Sequence, residues 1–379
     1  MKFIIFRRLL YWFGLLPMMA CAQHDDTMNL LIGTYTHTGK SEGIYVYTFD
    51  LQTGKLNYKN KVATENPSFL TISPDRKFVY AVNELNDGKG AVSAFAYERS
   101  TGALKLLNSQ LTDGDDPCNI ITDKANKHVI ASNYSGGSFT VFGVLDNGTL
   151  TPHQQVIQHD GSGPDKDRQE KPHVHSATFS PDERFLLVQD LGIDRIKVYA
   201  YDEKNEGQAV SPQAISDGVA SPGSGPRLIT FSKNGKYVYL IQEMKSAVTV
   251  YRYDQGRLTP IQEISMLPSS FQGDVGAADI HISPDGKFLY ASNRGDANDI
   301  AIYAIHAANG KLTHVENQSV GGKGPRSFAI APGGKYVLIA NQYTNDVLVF
   351  ERDAHTGLLK TTGEKITLGA PVCLVFDEF

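Results

Sequence analysis

The sequence predicts an all-β fold, a seven-bladed β-propeller whose last blade is closed by strands from both chain ends. Three observations lead to this fold: a recurring phrase, an alternating strand after each copy of it, and an incomplete copy at the ends of the chain. Repeats of about 50 residues are typical of four-stranded propeller blades. We therefore expect one closed repeat array rather than two or three separate domains.

The recurring phrase joins two short strands through a turn. Its turns contain Pro-Asp-Gly-like or Asn-Gly clusters, and its strands are rich in β-branched and aromatic residues, as such turns and strands require. The six copies are NPSFLTISPDRKFVYAVNE from Asn66, DPCNIITDKANKHVIASNY from Asp116, PHVHSATFSPDERFLLVQD from Pro172, GPRLITFSKNGKYVYLIQE from Gly225, AADIHISPDGKFLYASNR from Ala277 and GPRSFAIAPGGKYVLIANQ from Gly324. A third, alternating strand follows each copy, as in SFTVFGV and VTVYRYD.

The two chain ends supply the seventh blade. APVCLVF from Ala370 matches the first strand of the phrase, whereas NLLIGTYTH from Asn29 and EGIYVYTFD from Glu42 match the strands that are then missing. A blade built from strands of both chain ends would close the ring of blades. The alternative, an open solenoid, would leave two unpaired sheet edges, which are an aggregation hazard.

The composition is that of a folded protein and argues against a nucleic-acid partner. Of 379 residues, 41% are hydrophobic and 20% are charged, and the net charge is −5. Binding to a phosphate backbone requires clustered Lys and Arg, which this sequence does not show. We expect no cofactor. Cys118 and Cys373 could pair only if folding brought them together, and we expect both to be buried thiols.

The N-terminus has the pattern of an export signal. A basic start precedes an apolar run from Leu9 to Ala20 that is too short to span a bilayer comfortably. The small residue before Cys21 resembles a lipoprotein box. We expect a signal peptide over 1–21 with a lipidated Cys21 as the possible membrane attachment, a linker over 22–28, the propeller over 29–379 and a location in the cell envelope. The alternatives are an uncleaved apolar N-terminus and a cytoplasmic location.

Three long polar segments interrupt the repeats. One is DGSGPDKDRQEK over 160–171, and two Gly/Ser-rich segments precede Arg227 and Asp279. Loops on one rim of a rigid scaffold often carry ligand contacts, although most of their residues are simple solvated connections.

The phrases PHVHS, GPR and ASNR and the repeated Y-x-x-N/Q-E closely resemble the propeller-type 6-phosphogluconolactonase family and its relative, the fungal 3-carboxy-cis,cis-muconate lactonizing enzyme. The resemblance covers about Asn29 to Phe379. The SPDG-x-x-x-Y-x-x-N phrase also occurs in YVTN-like surface propellers, so the unrepeated polar residues are the more specific signal. The resemblance implies a small-molecule lactone as the substrate, 6-phosphogluconolactone first among such lactones, and its hydrolysis.

The resemblance also implies a site of one His, one Glu and two Arg at the channel mouth. The matching positions are His175, with His173 next in line, and Arg227, Glu243 and Arg294. In this site His175 would deprotonate water, and an Arg would hold the anionic group and stabilise the oxyanion. Glu243, beside two Arg, would have a lowered pKa and would orient its neighbours rather than donate a proton.

Several other residues could contribute to the same site. His173 and His175 are two apart, so on a strand they would point to the same side, one as base and the other as its orienting partner. A metal is the weaker interpretation, because no third ligand has suitable spacing. Arg326 occupies the place of Arg227 in a second GPR, where it could bind substrate or brace the blade. Further substrate-binding candidates end equivalent strands: Asn133, Asn293 and Asn341.

Two other functions remain open from the sequence. One is a cycloisomerase that acts on carboxylated muconates, and the other is a non-catalytic, ligand-binding surface propeller. The unrepeated Arg294 and His175 argue against the second, because an unrepeated charge at a repeated position requires its own explanation, and bidentate binding of an anion supplies one.

Overall fold

The computed structural model describes residues 1–4, 26–205 and 207–378. Most of the expected signal peptide, and with it the lipidation candidate Cys21, lies outside these residues. Within the described part of the chain, no helix is long and apolar enough to cross a bilayer. The first strand begins at Thr27, two residues before the expected start of the propeller.

Seven four-stranded antiparallel sheets form the blades, here numbered from 1 to 7 and described from the innermost to the outermost strand. Blade 1 combines both chain ends: β28 (Pro371–Phe376), β1 (Thr27–Thr34), β2 (Gly43–Asp50) and β3 (Leu56–Ala63). Blades 2 and 3 contain β4 (Leu70–Ile72), β5 (Phe78–Asn83), β6 (Ala91–Glu98) and β7 (Ala103–Leu111), then β8 (Pro117–Thr122), β9 (His128–Asn133), β10 (Ser138–Val144) and β11 (Leu150–Gln158).

The remaining blades follow in chain order. Blade 4 contains β12 (Val174–Phe179), β13 (Phe185–Asp190), β14 (Arg195–Ala200) and β15 (Ser216–Val219), with a short 3-10 helix over Leu191–Ile193. Blade 5 contains β16 (Pro226–Phe231), β17 (Tyr237–Gln242), β18 (Ala247–Asp254) and β19 (Arg257–Ser265). Blades 6 and 7 contain β20 (Ala277–Ile282), β21 (Phe288–Asn293), β22 (Asp299–Ile305) and β23 (Leu312–Ser319), then β24 (Pro325–Ile330), β25 (Tyr336–Asn341), β26 (Asp346–Arg352) and β27 (Leu359–Thr367).

The ring is closed, as the sequence predicts. Each innermost strand contacts the innermost strand of the next blade, and β28 contacts both β24 and β4. Strand β28 pairs with β1, with Leu30 opposite Phe376 and Ile32 opposite Leu374. This pairing joins the two chain ends in one sheet and leaves no open solenoid edge.

The hydrophobic core lies between adjacent blades rather than in one central mass. Seven apolar clusters each join two neighbouring blades and together cover every blade interface. Both faces of a blade are therefore buried, which a single sheet cannot achieve alone. Cys118 and Cys373 are buried free thiols, as expected.

Candidate active site

An irregularity at the start of the innermost strands turns selected side chains into the channel. In six blades the pairing register shifts there, for example between Pro226 and Leu228 in blade 5. A bulge of this kind leaves one residue unpaired and redirects its side chain. The unpaired residues include Cys118, His175, Arg227 and Arg326, and all four line one central cavity.

A second ring of side chains lies at the channel mouth, one residue beyond the end of each blade's second strand. The position is equivalent in all seven blades, because its backbone N–H donates each time to a carbonyl oxygen that precedes the innermost strand, by four residues in blade 2 and by one in the others. In blade 5 this carbonyl belongs to Gly225, whose φ of +67° suits glycine. The seven mouth residues are Tyr35, Glu84, Tyr134, Leu191, Glu243, Arg294 and Gln342.

Glu243 is the centre of the site. Its Oε2 lies 2.9 Å from Arg227 Nε, 3.2 Å from Arg294 Nη2 and 3.8 Å from His175 Nε2. The structure therefore brings together all four residues of the predicted His, Glu and two Arg set. The two guanidinium groups are also held by backbone carbonyls of blade 6, since Arg227 Nη1 donates to Ala278 O and Arg294 Nε to Gly276 O.

The charges of the cluster fix its protonation. Burial opposes ionisation of Glu243, but the charges of Arg294 and Arg227 outweigh it and hold the pKa of this carboxyl well below its usual range. Burial and the Arg294 charge lower the pKa of Arg227 to about 10, so that guanidinium stays charged at neutral pH. The site therefore contains a fixed carboxylate between fixed cations.

His175 is a neutral imidazole inside this charged surrounding. It is 6% exposed, and its burial together with the Arg227 charge holds its pKa well below the ordinary histidine value. A neutral imidazole can accept a proton. The geometry therefore provides a base that is free to act at neutral pH.

The thiol beside His175 is not activated. Cys118 Sγ lies 3.8 Å from His175 Nδ1 and donates to His175 O over 3.3 Å. Burial and the nearby Glu84 carboxylate raise the pKa of this thiol. A nucleophilic cysteine requires a lowered pKa, so Cys118 lacks the surrounding of a cysteine nucleophile despite its position beside a histidine.

A smaller polar cluster lies in blades 1, 2 and 7. The Arg326 guanidinium lies 5.3 Å from the centre of the Tyr35 ring, and Tyr35 OH donates to Glu84 Oε1 over 2.8 Å. Ser68 Oγ donates to the other carboxylate oxygen. Although burial acts against the charge of Arg326, Tyr35 and Glu84 raise its pKa. Arg326 lines the same cavity as Arg227.

Arg168 belongs to the site, although the sequence patterns did not single it out. Its Nη2 donates to Glu243 Oε1 over 2.8 Å and to Tyr134 OH over 3.2 Å. Arg168 lies in the polar segment 160–171, which was identified only as a loop that could carry ligand contacts. The available signal is that Arg168 is the one arginine of this segment, whose other cations are lysines.

His173 does not orient His175. The sequence predicted that the two rings would lie on the same side of one strand, with one histidine orienting the other. It precedes β12, and its ring stacks on Tyr134 with centroids 4.7 Å apart. Its Nδ1 lies 3.2 Å from Tyr134 O and its Nε2 lies 3.2 Å from Glu170 Oε1. The bulge at His175 breaks the alternation that would have placed both rings side by side.

The three asparagines do not reach the cluster. Asn133, Asn293 and Asn341 are 0% exposed. Asn133 donates to Ser138 and Thr140 of β10, Asn293 accepts from Ser246, and Asn341 donates to Asp346 of β26. Each is one residue before a mouth residue, and neighbouring residues on a strand face opposite sides. Their amides therefore stabilise the blades and are not placed to bind substrate.

No group of three or more His, Cys, Asp or Glu among the described residues is arranged to hold a metal ion. The residues that converge on Glu243 are cations and one imidazole. Such a set suits an anionic ligand, because guanidinium groups bind carboxylate and phosphate through paired hydrogen bonds.

Known proteins share this architecture over nearly the whole chain. The family model described as a lactonase, 7-bladed beta-propeller, matches residues 29–376. The 6-phosphogluconolactonase of Formosa agariphila is 36% identical over 89% of this chain and 96% of its own length. The 6-phosphogluconolactonase of Bacillus subtilis is 35% identical over 91% of this chain and 97% of its own.

A solved structure extends the comparison to three dimensions. The periplasmic gluconolactonase of Pseudomonas aeruginosa superposes with a TM-score of 0.88 at 37% identity, over 92% of this chain and 99% of that one. The match of sequence and fold spans all seven blades. The chain therefore belongs to the family of lactonases that fold as seven-bladed β-propellers.

Proposed function

We propose that the protein hydrolyses the lactone of a sugar acid, with 6-phosphogluconolactone as substrate and 6-phosphogluconate as product. The observation that carries the proposal is a neutral His175 beside Glu243, with Arg227 and Arg294 on the same carboxylate. The names of the two curated relatives support the choice of substrate.

His175 is the base of the proposed reaction. Its neutral imidazole takes a proton from a water molecule as that water attacks the lactone carbonyl carbon. Glu243 then lies close enough to stabilise the imidazolium that forms, because its Oε2 is 3.8 Å from His175 Nε2. General base catalysis by a positioned imidazole contributes about 10² to 10⁴ in rate.

Arg227 and Arg294 stabilise the negative charge that develops. Attack moves an electron pair onto the carbonyl oxygen, and fixed donors aimed at that charge usually supply the largest part of catalysis in acyl transfer. Both guanidinium groups are held by Glu243 and by backbone carbonyls, so they need little reorganisation.

Ring opening completes the reaction. The tetrahedral intermediate collapses, the bond from the carbonyl carbon to the ring oxygen breaks, and the His175 imidazolium returns its proton to the leaving oxygen. The lactone thereby gains one water and becomes a hydroxy acid, and His175 is neutral again.

Assays with the purified protein test the proposal. We expect saturable disappearance of 6-phosphogluconolactone above the spontaneous rate, a product heavier by one water, and a kcat lowered by about 100-fold in His175→Ala and in Arg294→Ala. The exposed His355→Ala and Arg257→Ala are matched controls and should retain activity. Unchanged activity in both site variants would contradict the assignment, and a product of unchanged mass would indicate a cycloisomerase. Ligand binding without turnover would indicate a binding propeller.

We also propose that the protein acts in the cell envelope as a lipoprotein anchored through Cys21. The basic and apolar start of the sequence supports this location, as does the periplasmic gluconolactonase among the similar structures. Palmitate labelling of cells expressing the full chain should mark the protein, and Cys21→Ala should abolish the label. An unlabelled, uncleaved chain in the cytoplasmic fraction would contradict the proposal.

A further inference from the structure

We propose that Arg168 forms an anion subsite that selects lactones carrying a phosphate group. Resting on the proposed lactonase function, the proposal adds a specificity-determining residue from outside the repeats. The subsite lies at the channel mouth, where the 160–171 segment meets Glu243.

Arg168 is the most accessible cation of the cluster. Its side chain is 45% exposed, against 13% for Arg294 and 4% for Arg227. The contacts with Glu243 and Tyr134 both use Nη2. A guanidinium group carries five N–H donors in a planar fork, so the remaining donors can bind an incoming oxyanion.

The charge balance around Glu243 favours a doubly charged group. Arg168, Arg227 and Arg294 all contact the single carboxylate of Glu243. Three positive charges and one negative charge leave an excess of about two, and a phosphomonoester carries about −1.5 to −2 at neutral pH. A phosphorylated lactone therefore compensates the excess better than a neutral one.

The segment that carries Arg168 is fixed at both ends. Asp190 accepts the backbone N–H of His173 over 2.8 Å, and its other oxygen lies 2.7 Å from His159 Nδ1. Next to Arg168, the buried Gln169 donates to Leu191 O over 2.8 Å. Arg168 is thus presented on an anchored loop, which lowers the entropy cost of using it to hold a ligand.

Two lactones and one matched control test the proposal. We expect Arg168→Ala to lower kcat/KM for 6-phosphogluconolactone by about tenfold or more, mainly through KM, because a charge-assisted bond to phosphate is lost. For unphosphorylated glucono-δ-lactone, kcat/KM should change less than about twofold. For 6-phosphogluconolactone, the kcat/KM of Arg168→Lys should lie between those of the wild type and Arg168→Ala. Lysine keeps the positive charge but lacks the planar set of donors. Lys166→Ala, which removes an exposed charge from the same loop, should leave both substrates unchanged.

The outcomes separate this proposal from the proposed function. If Arg168→Ala lowered kcat/KM equally for both lactones, or for neither, the anion subsite would be overturned. The proposed lactonase function would not be affected by that result. If the wild-type protein hydrolyses no lactone, the proposed function fails, and calorimetric titration with 6-phosphogluconate still decides the subsite. Weaker binding in Arg168→Ala but not in Lys166→Ala would support the subsite, and equal binding would overturn it.

Discussion

At the scale of single residues, the site depends on one carboxylate shared among three guanidinium groups. Glu243 contacts Arg168, Arg227 and Arg294, and His175 lies within 3.8 Å of the same oxygen as two of them. A buried carboxylate with several cationic partners stays charged, and a buried histidine beside a cation stays neutral. The resting site therefore holds a charged carboxylate beside a neutral imidazole, the protonation states that the proposed reaction requires.

With His175 as the proposed base, its lowered pKa should set the acid limb of activity. Since burial and Arg227 keep the imidazole neutral below its usual pKa, kcat/KM should hold constant down through about pH 6.5, the ordinary histidine value. The loss of activity should begin only at lower pH, where the imidazole takes up a proton. The measurement is kcat/KM for glucono-δ-lactone from pH 4.5 to 8, corrected for spontaneous hydrolysis. An acid limb at or above pH 6.5 would show that His175 titrates as an ordinary histidine or is not the base.

The candidate residues show which part of a site the sequence can predict. His175, Arg227, Glu243 and Arg294 were predicted because they match a family pattern at positions where the repeat does not require those residues. Asn133 was predicted from its place at a strand end, but strand alternation directs its amide into the blade. A strand-end position in a sequence does not reveal which side of the sheet the side chain takes when bulges shift the register.

At the scale of elements, the bulged innermost strands and the 160–171 loop position the side chains of the candidate site. Turns, strands and their order were predictable from local residue types. The contact of Arg168 with Glu243 was not, because it joins positions 75 residues apart through a loop that has no repeat or periodicity. Loop conformation depends on tertiary contacts that sequence periodicity does not encode.

The anchoring of this loop gives a prediction at the same scale. Asp190→Ala removes the carboxylate that accepts the His173 backbone N–H and contacts the His159 ring. Both histidines are buried. We expect the free energy of unfolding to fall by about 2 kcal/mol, because buried donors are left unsatisfied. We also expect KM for 6-phosphogluconolactone to rise while kcat changes little.

Urea denaturation and steady-state kinetics measure the two effects of Asp190→Ala. The exposed Asp167→Ala in the same loop is the control and should change stability by less than about 0.5 kcal/mol. Unchanged stability and KM in Asp190→Ala would show that the loop does not depend on Asp190.

At the scale of the whole molecule, the hydrophobic core is divided among seven apolar interfaces between adjacent blades. The number of blades was predictable because each blade repeats the same phrase and the ends complement each other. The closed ring follows from the need to cover both faces of every blade. The terminal pairing of β28 with β1 closes the ring through residues from the two ends of the chain.

A core substitution in the closing strand tests this dependence. Leu374 is 7% exposed and packs in the cluster between blades 7 and 1. Leu374→Ala should lower the free energy of unfolding by about 2 to 4 kcal/mol, because it removes buried methyl groups and leaves a cavity. The exposed Leu145→Ala is the matched control and should change it by less than about 0.5 kcal/mol.

Chemical denaturation followed by circular dichroism measures the difference. Similar values for the two leucine variants would mean that the interface between blades 7 and 1 contributes little to holding the ring.

The position of β28 as the innermost strand of blade 1 also has a consequence for biosynthesis. Among the strands of the ring it is the last to leave the ribosome, yet its Val372 lines the same cavity as His175 and Arg227. A nascent chain therefore has no complete channel until this strand has been translated. If the protein crosses a membrane in an unfolded state, the ring can close only after translocation. The channel, and activity with it, would then form on the far side of the membrane.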